Sequence, residues 1–312
     1  MIGRVLTLVR FEMTKLWGRR ALLVPTGFYA RRGPLARSLL APPLLLVVFL
    51  VLALTAVGSG YGTWVIDKAQ ELSGSENANR AFRNAWSVTA SSMITAQHLG
   101  LIFLLVLAGT SMAEESQYGT LKAVLTRPFR RVELVVAKLL ALGLFTLLLV
   151  AVLAAAGVTT GALLYDFEPV RDPQFKDYIQ VTLGDMTRAT VMTFLLMIPP
   201  LVATMAFAVM ISTLIEQPGY AVGVAVGGVL LLEVFGSVSR ELAPFIFVCH
   251  LDTLVDTAVP SPLKSLEGKA LQFATAGIKP GEAAFAVVVS LVSGLVWSGI
   301  TVWRLAVRDI GD

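Results

Sequence analysis

Three consecutive stretches decide the fold: HLGLIFLLVLAGTSMA (98–113), EESQYGTLKAVLTRPFRRVEL (114–134) and VVAKLLALGLFTLLLVAVLAAAG (135–157). The first and third are almost wholly apolar, whereas the middle one carries carboxylates and a cluster of arginines. A chain that leaves one long apolar segment, continues for about twenty residues rich in charge and enters another is typical of two membrane-spanning helices. The middle stretch then predicts a connection at one face of the membrane.

The rest of the chain has the same character. Hydrophobic residues make up 56% of the 312 residues and charged residues only 15%, against about 25% charged in soluble domains. An all-α polytopic membrane protein is therefore predicted. Its six candidate spans are roughly 38–58, 92–113, 135–164, 189–214, 219–238 and 284–303. An even number of spans places both termini on the same side.

The distribution of basic residues predicts the orientation. The net charge is +4, and eight of the 25 lysines and arginines precede residue 39. Basic flanks beside apolar runs face the cytoplasm and anionic lipid, so membrane lipid rather than nucleic acid is the expected contact. We expect a multi-pass protein of the cell inner (plasma) membrane, with both termini and the 114–134 connection in the cytoplasm.

Two regions flank or interrupt the spans. Residues 2–17 form an amphipathic pattern typical of a helix in the membrane interface. Residues 1–37 are therefore predicted to be a cytoplasmic elbow helix with a basic linker, and 38–312 the six-span transmembrane domain. The apolar face of the helix is predicted from Ile2, Val5, Leu6, Val9, Met13, Leu16 and Trp17, with Leu8 and Phe11 off the pattern. Residues 239–283 are too apolar for a solvated linker and predict a re-entrant segment before the last span.

The 114–134 connection holds no set of catalytic residues: it has no histidine, cysteine or metal-ligand spacing. Glu114 and Glu115 suit a helix N-terminus, and Arg127-Pro128 ends a helix. Two interpretations remain open at this point. The segment is a short helix along the membrane that docks in a groove of another protein, or a loop whose arginines reach the headgroups.

Residues 113–131, AEESQYGTLKAVLTRPFRR, resemble the cytoplasmic loop between the second and third spans of ABC-2 type permeases. That loop reads approximately E-E-x-x-x-G-T-L-x-x-L-L-T-x-P-x-x-R, with a lysine just inside the next span. The matching positions are Glu115, Gly119, Thr120, Leu121, Leu125, Pro128, Arg131 and Lys138. Arg130 departs from the family, which has a small residue there. The six spans, the N-terminal helix and the re-entrant segment resemble the family as well.

The resemblance implies a type V ABC exporter-like fold, in which this loop is the coupling helix that seats in a cytoplasmic ABC ATPase. Two ATPase copies and a second permease chain, identical or homologous, would complete the complex. The implied coupling residues are Glu115, Gly119, Thr120, Leu121, Leu125, Arg127, Pro128, Arg130 and Arg131, with Glu216 in the turn between spans four and five. The chain would then be a permease exporting an unidentified substrate.

The sequence predicts no enzyme in this chain. It contains no G-x-x-x-x-G-K-[ST] phosphate loop: the nearest fragment, Gly268-Lys269, is followed by alanine. No cofactor is expected on this chain, and ATP and magnesium would bind the partner subunit. The alternative is a subunit that passes a conformational signal to an extracytoplasmic protein without moving cargo.

Three further groups of residues are candidates for a functional role. Gly219, Gly223 and Gly227 recur every four residues in span five, which suits close helix packing, either within one chain or between two permease chains across the pathway. His250, Asp252 and Asp256 do not converge as a metal site requires, so no metal is expected. Glu233 near a span end is interpreted as reaching the interface rather than as a site.

Overall fold

The computed structural model describes residues 2–18, 44–72, 85–118, 131–171, 179–239, 241–251 and 280–307. Its elements in chain order are α1 (Ile2–Gly18), α2 (Leu44–Leu72), α3 (Ala85–Gln117), α4 (Arg131–Leu164), β1 (Val170–Arg171), β2 (Ile179–Val181), α5 (Leu183–Leu214), α6 (Pro218–Val238) and α7 (Pro280–Val307). Two 3₁₀ turns, Ala243–Phe245 and Phe247–Cys249, lie between α6 and α7.

Helices α2 to α7 are each long and apolar enough to cross a membrane. Their apolar stretches are Val48–Ile66, Thr95–Gln117, Val132–Leu164, Leu183–Leu214, Pro218–Val238 and Ala283–Val307. The predicted all-α class and the six spans are thus confirmed, and the chain is a multi-pass membrane protein. The helices are longer than their predicted spans because helical hydrogen bonding continues beyond the apolar stretch that matches the thickness of the membrane. In particular, α2 runs on to Leu72 and α3 already begins at Ala85; residues 38–43 of the first predicted span lie outside the described residues.

Helix α3 occupies the centre of the bundle, where α2, α4, α5 and α6 all pack against it. The core around it is built from large apolar side chains such as Leu104, Phe145, Leu149 and Leu201, all at most 2% exposed. Helix α7 packs mainly on α5 and leaves most of its surface outside the bundle. The connection 119–130 therefore follows directly from the most central helix of the fold.

Glycines allow the start of α3 and the end of α4 to approach each other closely. Thr89 Oγ1 on α3 donates to the carbonyl oxygen of Gly157 on α4 at 3.3 Å. A Cβ atom at Gly161 would lie 2.6 Å from the carbonyl oxygen of Ala85. Because that atom belongs to the main chain, it cannot rotate away, and any side chain at position 161 would force the two helices apart.

We therefore expect Gly161→Ala to lower the free energy of unfolding by about 1–3 kcal/mol through overpacking. Gly143→Ala on the same helix is the matched control, since a Cβ there has nothing within 4 Å and alanine is the better helix former. The midpoint of SDS-induced unfolding in mixed micelles measures both. Equal midpoints for the two variants would contradict this close approach.

The end of the bundle opposite the 119–130 connection is capped by a small antiparallel hairpin, in which Val170 of β1 pairs with Val181 of β2. The Ala85 N–H donates to the Asp166 carbonyl oxygen at 3.2 Å, and the Trp86 and Phe167 rings meet edge to face at 4.7 Å. These contacts tie the start of α3 to the chain that follows α4.

The segment after α6 turns back against the bundle. Phe247, Val248 and Leu251 are buried, and the Phe247 ring lies 6.3 Å from that of Phe207 on α5. Non-helical main chain among membrane helices is tolerated where protein shields it. Residues 247–251 are buried or half-buried, whereas Leu242 and Phe245 earlier in the segment are exposed. The remainder of the predicted re-entrant segment, 252–279, lies outside the described residues.

Helix α1 packs on α4 and also touches α2. The face that packs on protein includes Leu8, which is 6% exposed, whereas Leu6 of the predicted apolar face is 62% exposed. Contact of that apolar face with the membrane interface stays a prediction. The face that meets α4 also includes Glu12, which is 6% exposed and is the only acidic residue before Asp67.

Candidate functional site

A buried ion cluster joins three helices at the end of α3 that precedes the 119–130 connection. Lys138 Nζ on α4 lies 2.9 Å from Glu115 Oε1 on α3 and 3.2 Å from Glu12 Oε2 on α1. The same ammonium donates to the carbonyl oxygen of Ser111 at 3.0 Å. All three of its protons therefore have an acceptor in the fold, and we call these residues (Glu12, Glu115 and Lys138) the ion cluster.

Burial makes this cluster energetically important. Lys138 is 3% exposed and Glu115 is 7% exposed. A buried charge is tolerated only when it is paired and hydrogen-bonded. Separation of α1, α3 and α4 at this end would therefore break two buried ion pairs. Glu133, in the first turn of α4, is buried beside this end as well.

Glu114 and Glu115 were predicted to begin a helix in the connection, but the structure includes them in the last turn of α3, which runs to Gln117. A carboxylate at a helix C-terminus opposes the helix dipole. The Lys138 ammonium provides the compensating charge for Glu115. The fold thus uses Glu115 inside the bundle, and its proposed contact with an ATPase stays a prediction.

Glu12 was missed as a site residue. Within a helix rich in arginine and lysine, it lies on the stripe with Leu8 that packs against α4. A single carboxylate in an otherwise basic helix was the available signal, since it suggests a cationic partner. Lys138, one of the positions that match the permease motif, is that partner.

Most of the predicted coupling residues lie outside the described residues: Gly119, Thr120, Leu121, Leu125, Arg127, Pro128 and Arg130. Arg131 is the first residue of α4, and its side chain is not among those described. Glu216 is exposed in the short turn between Leu214 and Pro218. Helices α3 and α5 run parallel, since Met112 and Ala113 near the end of α3 contact Ser212 near the end of α5. This turn therefore lies at the same end of the bundle as the 119–130 connection.

Gly219, Gly223 and Gly227 lie on the side of α6 that faces away from the bundle. A Cβ atom at any of the three would have nothing within 4 Å. Ala221, Ala225 and Val229 form the buried side of the same helix. Among the described residues, these glycines therefore bring no helix of the same chain close, and a seam with another chain stays a prediction.

The polar residues His250 and Glu233 have different surroundings. His250 Nε2 donates to the Pro244 carbonyl oxygen at 2.9 Å, and its ring lies against Phe285. Asp252 and Asp256 lie outside the described residues. The described part of the chain contains no group of three or more His, Cys, Asp or Glu side chains that could hold a metal ion. Glu233 is half-buried on α6.

Residues 44–251 match a family described as protein of unknown function (DUF2705). The chain belongs to this family. No curated protein matches the chain.

The DUF2705 match spans α2 to α6 and the turns that end at Leu251. It contains Glu115 and Lys138, together with the whole connection between α3 and α4. Glu12 on α1 and all of α7 lie outside the matched region. Two members of the ion cluster thus belong to the matched DUF2705 region, and the third is supplied by the preceding helix.

Proposed function

We propose that the chain is the membrane permease subunit of an ATP-driven ABC-2 type transporter, which exports a substrate by using a separate cytoplasmic ATPase. The observation that carries the proposal is the position of the motif of residues 113–131. It connects α3, the central helix, to α4, and the buried Glu115–Lys138 pair fixes its base. A push on this connection would therefore act directly on α3 and α4.

Such coupling requires a limited free energy of differential binding. Moving a two-state equilibrium from 1:99 to 99:1 requires about 5.5 kcal/mol of differential binding. ATP-driven closure of two ATPase subunits would supply it through the connection. ATP and magnesium would bind only the partner, because this sequence has no phosphate loop.

A second, smaller ATPase contact would be made by the turn that carries Glu216. It joins α5 to α6 at the same end of the bundle and presents a carboxylate at the surface. The basic connection 119–130, with Arg127 and Arg130, and this acidic turn would give the ATPase two contacts of opposite charge. This end of the bundle, together with both termini, would lie on the cytoplasmic side of the inner membrane.

A second permease chain would cover the exposed glycine face of α6. In a bilayer, small residues associate helices because they allow main chains to approach. Tyr220, Val224 and Val234 flank the glycines and are all exposed. Helix α2 exposes a comparable apolar surface with Gly58 and Gly62 open. Spans one and five are the pair that would face the partner chain in this kind of transporter.

The test is co-purification from the host membrane with charge reversal confined to the connection. We expect an Arg127→Glu, Arg130→Glu double variant to reduce the recovered ATP-binding protein at least fivefold. Arg188→Glu, at the opposite end of α5, is the matched control and should leave recovery unchanged. Photolabelling with an azido-ATP analogue identifies the partner as a nucleotide-binding protein. If the wild-type chain, purified folded, brings down no photolabelled protein, the proposal is wrong.

The signalling alternative has one observation in its favour. Helices α2 and α3 continue beyond their apolar stretches at the end opposite the connection, to Leu72 and from Ala85, and the hairpin lies beside them. Such an extension suits contact with an extracytoplasmic protein. Stimulation of the complex's ATPase rate by lipid or a small molecule supports export, whereas stimulation only by a protein supports signalling.

A further inference from the structure

The last turns of α3 make hydrogen bonds with side chains of two neighbouring helices, and this arrangement points to a mechanical joint. The N–H groups of Met112 and Ala113 both donate to Ser212 Oγ on α5, at 3.0 and 2.9 Å. In a regular α-helix these two donors point along the axis to the carbonyls of Ala108 and Gly109. An N–H has one proton, so the bonds within α3 are shared or replaced at this turn.

The carbonyl oxygens of this turn also accept hydrogen bonds from side chains. The Ser111 hydroxyl donates to the Ala108 carbonyl oxygen at 2.7 Å, which is the normal acceptor for Met112. The Ser111 carbonyl oxygen accepts from Lys138 on α4. Side chains from two neighbouring helices, with one from α3 itself, thus provide hydrogen bonds to a turn that a regular helix satisfies internally. Insertion of a side chain into the hydrogen-bond ladder is a recognised cause of helix bending.

Packing at the same turn links it to a further helix. A Cβ atom at Gly109 would lie 3.4 Å from the Val222 main-chain Cα of α6, so α6 passes close to this turn. Ser212 is 2% exposed and Ala113 is fully buried, which means that water does not compete for these bonds. Helix α5 through Ser212, α4 through Lys138 and α6 through Val222 therefore meet α3 within residues 108–113, two residues before Glu115 of the ion cluster.

We propose that residues 108–113 of α3 form a joint. Ser212 and Lys138 are positioning residues at this joint, and they distribute motion of the 119–130 connection among α4, α5 and α6. The inference rests on the proposed function for the source of that motion, but the joint itself is a property of this chain alone. Because the bonds at this turn are made to side chains of other helices, bending α3 here exchanges hydrogen bonds rather than losing them.

The experiment measures the direction of the end of α3 with and without the Ser212 hydroxyl. Spin labels at Tyr118→Cys and Arg10→Cys, both exposed positions, are introduced in a Cys249→Ser background in lipid nanodiscs. Ser212→Ala is compared with Thr213→Val, the matched control, which removes an adjacent buried hydroxyl that donates only to Met210 of its own helix. We expect Ser212→Ala to shift or broaden the distance distribution by several ångström and Thr213→Val to reproduce the parent.

A distance distribution unchanged by Ser212→Ala would overturn the joint. A second measurement separates positioning from simple loss of stability. In the complex with the ATPase, Ser212→Ala should leave the amount of bound ATPase unchanged and reduce ATP turnover at least fivefold, with Thr213→Val at the parent rate. If no ATPase binds the parent chain, the proposed function fails, whereas the distance measurement still decides the joint.

Discussion

Lys138→Met is expected to lower the free energy of unfolding by about 3–5 kcal/mol, the range for removing one partner of a buried ion pair. Methionine fills much of the lysine's volume, so little of the loss comes from a cavity. The loss comes from Glu12 and Glu115, whose carboxylates would remain buried at an end of the bundle that also buries Glu133. SDS-induced unfolding of the purified chain in mixed micelles measures the effect.

The decisive comparison is a triple variant, Glu12→Gln, Glu115→Gln and Lys138→Met, in which the cluster is neutral but similar in shape. Replacing a whole buried ion cluster by neutral groups is often close to neutral in stability, so the triple variant should recover at least half of the loss. Lys68→Met, at an exposed lysine, controls for removal of a positive charge. A Lys138→Met variant as stable as Lys68→Met would show that the ion cluster does not hold these helices.

Much of the fold could be predicted because the solvent for most of this chain is lipid. Continuous apolar length is a strong signal, and α4, α5 and α6 were located to within a few residues at most ends. The ends of α2 and α3 were less accurate. Helix α3 begins at Ala85 because main-chain contacts such as that between Ala85 and Asp166 prolong it, and such contacts leave no trace in hydropathy.

The polar interior was much harder to predict. Glu12 and Lys138 are 126 residues apart in the chain, and nothing local to either one specifies the other. Glu115 is assigned to a partner protein by the resemblance to the permease loop, and its pairing with Lys138 inside the bundle is not evident from that motif. Ser212 gave no signal at all, since one serine near the end of an apolar helix usually bonds to its own main chain, as Thr213 does. Pairings between helices depend on packing that periodicity does not encode.

Gly223→Leu is expected to weaken association of two copies in a bilayer by about a hundredfold, which corresponds to about 2.8 kcal/mol. The chain itself tolerates the change, because a Cβ at position 223 meets nothing within 4 Å. The added side chain would instead keep the main chain of a second α6 or α2 helix at a distance, and close approach is what small residues provide in membranes. Single-molecule photobleaching in liposomes, at a series of protein-to-lipid ratios, measures the dimer fraction.

Gly299→Leu on α7 is the matched control, since Gly299 is also exposed with nothing within 4 Å of its Cβ but lies on a helix to which no seam is assigned. The two variants add the same side chain to the same kind of surface, and only the helix differs. Loss of dimers in Gly223→Leu alone places the seam on the glycine face of α6. If Gly299→Leu alone abolishes association, the seam lies on α7, and the glycines at 219, 223 and 227 face lipid. If both variants dimerise like the parent, neither helix forms the seam, and a second permease chain must dock elsewhere.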